Sequence, residues 1–178
     1  SVIRPLPDVA PSSAVWVDDE TLLVRRAGTG TLGLVTLASA EAPVTGTLTV
    51  EGAYALSPGG GRVAFLGREL GGARSLMVAG LPGFELLSLP GQPAVDTPDE
   101  SPLWSPDGRW IAYGATSISP DREEGPYTLI ADSKGRGETR VFPGLLPEAW
   151  SPDGLLLAAS GCGGGSCRLS LIDALSGS

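Results

Sequence analysis

Apolar residues fall along this chain in short clusters separated by Gly, Pro, Asp and Ser. Clusters of that length read as β-strands, and the separators read as turns. The clearest strand is Trp110-Ile111-Ala112-Tyr113-Gly114. It is near-continuously apolar rather than alternating, as expected of a strand buried on both faces.

The pattern repeats. Trp104-Ser105-Pro106-Asp107-Gly108-Arg109-Trp110-Ile111-Ala112-Tyr113 recurs from Trp150 to Ala159, from Leu56 to Phe65 and, in degenerate form, from Trp16 to Val24. The four copies are expected to align without gaps on Trp16, Leu56, Trp104 and Trp150, which stand 40, 48 and 46 residues apart. A period of about 40–50 residues of strand-like sequence points to propeller blades. Ser-Pro-Asp-Gly suits a tight turn, because Pro presets φ, Asp tolerates the bridge conformation and Gly closes the turn. Small Ala112 and Ala158 suit positions where neighbouring backbones come close.

Further strands are expected after each motif: residues 31–37 and 44–50, 74–79 and 84–89, 127–131 and 138–142, and 168–173. The predicted fold is all-β, a propeller of about four four-stranded antiparallel blades at 14–50, 53–89, 102–142 and 148–178. The fourth blade lacks its outer strand, and residues 1–6 read as an outer strand with no blade of its own. A ring closed by giving that strand to the last blade removes an exposed edge. A fragment of a longer propeller, or a ring completed by a second chain, fits the same pattern.

Composition narrows the chemistry. The chain has 178 residues, 26 Gly and 16 Pro, which disfavour helix. It has no histidine, which removes Ser-His-Asp and Cys-His nucleophile systems and His-based zinc sites. A net charge of −8 argues against broad nucleic-acid binding. No apolar run approaches the roughly 20 residues that span a bilayer, so no membrane insertion is expected. No signal-peptide pattern opens the chain, so it reads as cytosolic or as the mature form of an exported protein. No cofactor and no metal site are expected.

The repeat positions carry structural readings. Trp16, Trp104 and Trp150 are expected to pack between blades, and Trp110 to lie in the core. Asp107 and Asp153 are expected to satisfy turn amides. Cys162 and Cys167 flank Gly163-Gly164-Gly165-Ser166 in a hairpin loop. A disulfide there is sterically reasonable and implies an oxidising compartment; two free thiols are the alternative.

The two longest loops flank the third blade and share one face. One spans residues 90–101 with Asp96, Asp99 and Glu100; the other spans residues 115–126 with Asp121, Glu123 and Glu124. Long loops in compact domains are often functional, and these would form an acidic rim. A basic protein segment suits such a rim. Calcium is a weaker candidate, because no Asp-x-Asp-x-Asp-Gly loop is present. Solvated loops that serve solubility alone are the bland alternative.

The Trp-Ser-Pro-Asp-Gly motif, the following Ile-Ala-Tyr and a later strand ending in Asp resemble the TolB-like propeller repeats (the PD40, or WD40-like, type). The match is best over residues 103–142 and nearly as good over 149–177. It is weaker from Ala53, where Gly59 replaces Asp, and weakest in the first copy. The resemblance implies three settings. One is the periplasmic TolB protein, which binds peptidoglycan-associated lipoprotein. A second is the propeller that gates prolyl-oligopeptidase and dipeptidyl-peptidase hydrolases; this chain has no Gly-x-Ser-x-Gly elbow. A third is the extracytoplasmic sensor or binding domain of a membrane-anchored bacterial protein. The expected function is a non-catalytic protein-binding scaffold or sensor outside the cytoplasm. The alternatives are the hydrolase-gating propeller and a purely structural module, and self-association to complete a larger propeller stays open.

Overall fold

Four runs of strand sequence form four antiparallel sheets. The fold is given by a computed structural model, in which the structure describes residues 9–37, 45–50, 52–68, 74–87, 89–96, 101–118 and 125–176. Blade one orders β1 (Val9–Trp16), β2 (Thr21–Arg26), β3 (Thr31–Thr36) and β4 (Thr45–Thr49) side by side. Blade two is built on β5 (Tyr54–Leu56), β6 (Arg62–Arg68), β7 (Arg74–Gly80) and β8 (Glu85–Leu87), and β9 (Val95–Asp96) also joins β7. Blade three orders β10 (Leu103–Trp104), β11 (Trp110–Ala115), β13 (Tyr127–Asp132) and β14 (Arg140–Pro143), with β12 (Ser117–Ile118) leaving it to pair with β9. Among the described residues blade four has three strands, β15 (Leu146–Trp150), β16 (Leu156–Gly163) and β17 (Ser166–Asp173). The proposed outer strand at residues 1–6 lies outside the described residues.

Alternation along each second strand explains its unbroken apolar run. In β6, Val63 and Phe65 pack towards blade one with Leu23, Leu32, Leu34 and Val50. Ala64 and Leu66 point the other way, into a cluster with Ile111, Tyr113 and Leu129 of blade three. In β11, Trp110 and Ala112 then face blade four, against Leu157, Ala159 and Ile172. Full burial of such a side chain is worth about 1.5–3 kcal/mol. Each interface buries several, so these faces hold the blades together.

The anchor tryptophans set how the blades stack. The indole Nε1 of Trp104 donates to the Ala55 carbonyl oxygen at 3.0 Å, in blade two. Trp150 makes the same bond to the Leu103 carbonyl oxygen at 3.0 Å, in blade three. One such bond contributes about 1 kcal/mol, less than the apolar face but directional.

The turns are built from the motif itself. Ser105 Oγ donates to Asp107 Oδ1 at 2.6 Å, and the amides of Arg109 and Trp110 donate to Asp107 Oδ1 and Ser105 Oγ. Ser151 and Asp153 repeat the arrangement with the amides of Leu155 and Leu156. The turn-closing glycines Gly60, Gly108 and Gly154 have φ near +70°, where a side chain is strained.

The first copy departs from the gapless alignment. Trp16 pairs with Leu22, whereas Leu56, Trp104 and Trp150 pair with Val63, Ile111 and Leu157. The first turn is one residue shorter, because Val17-Asp18-Asp19-Glu20 has no Pro-Asp-Gly and closes on the Thr21 carbonyl. The faces of β2 are therefore swapped relative to the expected alignment, and Leu23 rather than Leu22 looks towards blade two. Trp16 also differs from its counterparts: it is 56% exposed and does not sit between blades.

On that outer face of blade one Leu22, Val24 and Val35 are nevertheless buried, whereas the outer face of blade four is barer. By register, Leu156, Leu171 and Leu169 occupy the positions of Trp110, Ile130 and Thr128. The latter three are buried between blades, yet Leu169 and Leu171 are 68% and 65% exposed. Among the described residues, no core cluster joins blade four to blade one. No helix among them is long and apolar enough to cross a membrane.

Two outcomes are expected. An apolar sheet face of this kind promotes association. Leu169→Lys with Leu171→Lys should abolish concentration-dependent self-association in sedimentation velocity, with the thermal midpoint little changed. Second, the bonds from Ser105 and Ser151 hold the Asp107 and Asp153 carboxyls below the usual Asp value. A lowered folded-state pKa stabilises above the unfolded value near 3.9 and is lost as pH falls through the folded value. Asp107→Asn with Asp153→Asn should lower the thermal midpoint at pH 7 and flatten its decline below about pH 4.

Candidate functional site

The two ends of each blade carry different material. One end bears the Ser-Pro-Asp-Gly turns and the loops between third and fourth strands, joined in blade three by the Ser133 amide donating to the Arg109 carbonyl at 2.8 Å. The other end bears the β11–β13 connection and the links between blades, joined by the Gly144 amide donating to the Pro126 carbonyl at 2.7 Å. The first is termed the turn face and the second the loop face.

On the loop face, the two long connections meet. Ser117 pairs with Asp96 and Ile118 with Val95, so β9 and β12 form a two-stranded ribbon between blades two and three. The Thr116 amide and hydroxyl both donate to the Asp96 carbonyl, at 2.7 and 3.2 Å. Val95 and Ile118 are each only 5% exposed and plug the core between the two blades. Asp96 points to solvent. Asp99, Glu100, Asp121, Glu123 and Glu124 lie outside the described residues. The described parts of both connections are therefore anchored structure and not free solvated loop.

The outer strand of blade two, expected over residues 84–89, is a strand over Glu85–Leu87. β8 covers Val78 to Gly80 of β7, and β9 of the ribbon meets the same strand at Arg74. Between them lies a cavity of about 420 Å³ lined by Leu76, Met77, Leu86, Leu87, Leu89 and Gln92. Gln92 ties this segment to blade three. Its Oε1 accepts from the Tyr113 hydroxyl at 3.2 Å and from the Thr139 hydroxyl at 3.1 Å. Burial pushes the Tyr113 phenol well above its ordinary pKa, so it stays a neutral donor. Gln92 carries no periodic or motif signal, and sequence reasoning missed it.

Trp104, Trp150, Asp107 and Asp153 take the inter-blade and turn positions described above, and Leu56 packs on the core between blades one and two. Cys162 and Cys167 face each other across the β16–β17 hairpin, with Cα atoms 4.1 Å apart, and form a disulfide. Among the described residues, no group of three or more His, Cys, Asp or Glu side chains is placed to hold a metal ion.

No protein-family model and no curated protein matches the sequence. Solved structures do. TolB from Acinetobacter baumannii matches with a TM-score of 0.59 at 20% identity, over 93% of this chain and 41% of that one. A proposed TolB from Agrobacterium tumefaciens matches with a TM-score of 0.56 at 17% identity, over 93% of this chain and 59% of that one. An oligogalacturonate lyase in complex with manganese matches with a TM-score of 0.59 at 17% identity, over 90% of this chain and 49% of that one. The chain thus spans between two fifths and three fifths of the length of these neighbours. Repeat register, blade stacking and these neighbours agree that the chain has a TolB-like β-propeller fold.

Proposed function

We propose that the chain is a non-catalytic, protein-binding propeller module that works outside the cytoplasm. The observation that carries this reading is the β9–β12 ribbon, two inter-strand connections gathered onto one face of the propeller and anchored there by Val95 and Ile118. Loops held on a rigid scaffold are where recognition usually sits. Asp96, Asp99, Glu100, Asp121, Glu123 and Glu124 all belong to these two connections, which suits a basic segment of a partner. The oligogalacturonate lyase among the neighbours is an enzyme, so the fold alone does not separate binding from catalysis. With no histidine in the chain and both cysteines in a disulfide, binding is the simpler use of this face. The disulfide also supports the location, since such bonds persist in oxidising compartments.

Two experiments check this. Asp121→Asn, Glu123→Gln and Glu124→Gln combined should remove most partner capture in a pulldown from an extracytoplasmic extract, and added salt should weaken wild-type capture. Unchanged capture would overturn the surface assignment. For the location, protein recovered from its native host should show no titratable thiol, folded or denatured; two thiols after denaturation would refute an oxidising compartment. Cys162→Ser with Cys167→Ser should cost about 2 kcal/mol or less, because the loop is short and the hairpin already holds its ends.

A further inference from the structure

The turn face carries a groove that the loop-face reading does not use. Its floor is made by Arg62 of blade two reaching under blade three. Arg62 donates to the Ser133 carbonyl and hydroxyl at 3.0 and 3.1 Å and to the Gly108 carbonyl at 3.0 Å. Its guanidinium also lies 4.9 Å from the centre of the Trp104 ring. Arg62 is thus a fixed structural cation, and cavities open on both sides of it.

One cavity, of about 510 Å³, is lined by Arg62, Arg109, Lys134 and Arg136 together with Asp107 and Asp132. The other, of about 590 Å³, is lined by Leu86, Leu87 and Leu89 with Arg62, Ser133 and Lys134. They share Arg62, Ser133 and Lys134, so they form one groove with a cationic half and an apolar half.

The charge balance in the cationic half runs against the whole molecule. Four of the chain's 12 basic residues meet there, opposite two carboxylates, on a protein of net charge −8. Both carboxylates are engaged locally. Asp107 accepts from Ser105 and the Arg109 amide, and Asp132 accepts from the amides of Lys134 and Arg136. The same bonds fold the 133–137 loop, so Lys134 and Arg136 are presented to solvent from a held backbone. Arg109 is oriented by the Trp110 ring, 4.8 Å from its centre.

The apolar half lies along β8. Leu86 and Leu87 are 55% and 40% exposed. Among the described residues β8 pairs with β7 alone, so it is an edge strand. An edge strand accepts an extended peptide, with pockets reading its side chains. A free anion would use only the cationic half. An extended peptide uses the edge, the leucines and the cations together.

We propose that this groove binds an extended acidic peptide segment, with an apolar residue on Leu86, Leu87 and Leu89 and carboxylates at Lys134, Arg136 and Arg109. Leu86, Leu87 and Leu89 also line the 420 Å³ cavity, but none of the loop-face carboxylates takes part, so the site would stand if that reading failed.

The test uses fluorescence anisotropy with a labelled Leu-Val-Leu-Gly-Glu-Asp-Glu peptide and its Leu-Val-Leu-Gly-Gln-Asn-Gln counterpart. The full 178-residue chain should bind the acidic peptide, more weakly at high salt, and should bind the amide peptide at least about tenfold less well. Lys134→Glu with Arg136→Glu should lower affinity at least about tenfold. Leu86→Ser with Leu87→Ser should lower it comparably, and both double variants should keep the wild-type thermal midpoint. The Asp121, Glu123 and Glu124 triple variant should bind this peptide as the wild type does. No binding, equal binding of the two peptides, or indifference to Lys134 and Arg136 would each overturn the proposal. So would capture by phosphatidylglycerol vesicles without capture of the peptide, which would assign the groove to a lipid surface.

Discussion

Where two sheets of this protein face each other, apolar side chains of both close the interface, and the remaining features depend on that packing. It forces the second strand of each blade to be apolar on consecutive residues, so Ile111 serves blade two while Trp110 and Ala112 serve blade four. It makes alanine useful at Ala64 and Ala112, where both are fully buried as the sheets close on each other. Its absence shows at single positions towards the two ends of the stack. Trp16 at one end and Leu169 and Leu171 at the other occupy covered positions in the repeat but have no neighbouring blade over them.

Within that stack, polar contacts set geometry more than they supply energy. The indoles of Trp104 and Trp150 each reach one carbonyl in the preceding blade, a directional bond repeated at two successive interfaces. Arg62 does comparable work on the turn face, crossing from blade two to hold Gly108 and Ser133. These contacts keep the blade ends in fixed relation. Any surface shared by two blades is then preorganised, whether the β9–β12 ribbon on one face or the Arg62 groove on the other.

Legibility from sequence followed the range of the interactions. The Ser-Pro-Asp-Gly turns were readable because every bond in them lies within five residues. The succession of four antiparallel sheets was readable because the anchors recur with the repeat. The degenerate first copy misled by one residue, since a turn without Pro-Asp-Gly closes earlier and strand periodicity turns one residue into a swap of faces. The loop face was legible as two long connections on one side, but not as a ribbon. Val95 and Ile118 are single apolar residues inside polar loops, and nothing local distinguishes them from exposed ones. Arg62 and Gln92 were illegible for the same reason, because their partners lie on another blade.

The amino-acid sequence by itself determined the unit of construction: the strand, turn and strand of blades two to four, the residues of those blades that face their neighbours, and the absence of imidazole chemistry. These follow from local periodicity and from residues whose conformational limits are their own, such as Pro and Gly. Tertiary structure alone decided what the units make together. It paired Asp96 with Ser117, brought Arg62 beneath Gly108, and gathered four cations into one groove of an acidic protein. Those outcomes depend on which blade ends come within hydrogen-bonding distance, and that is set by the stacking of whole sheets rather than by any neighbouring residue in the chain.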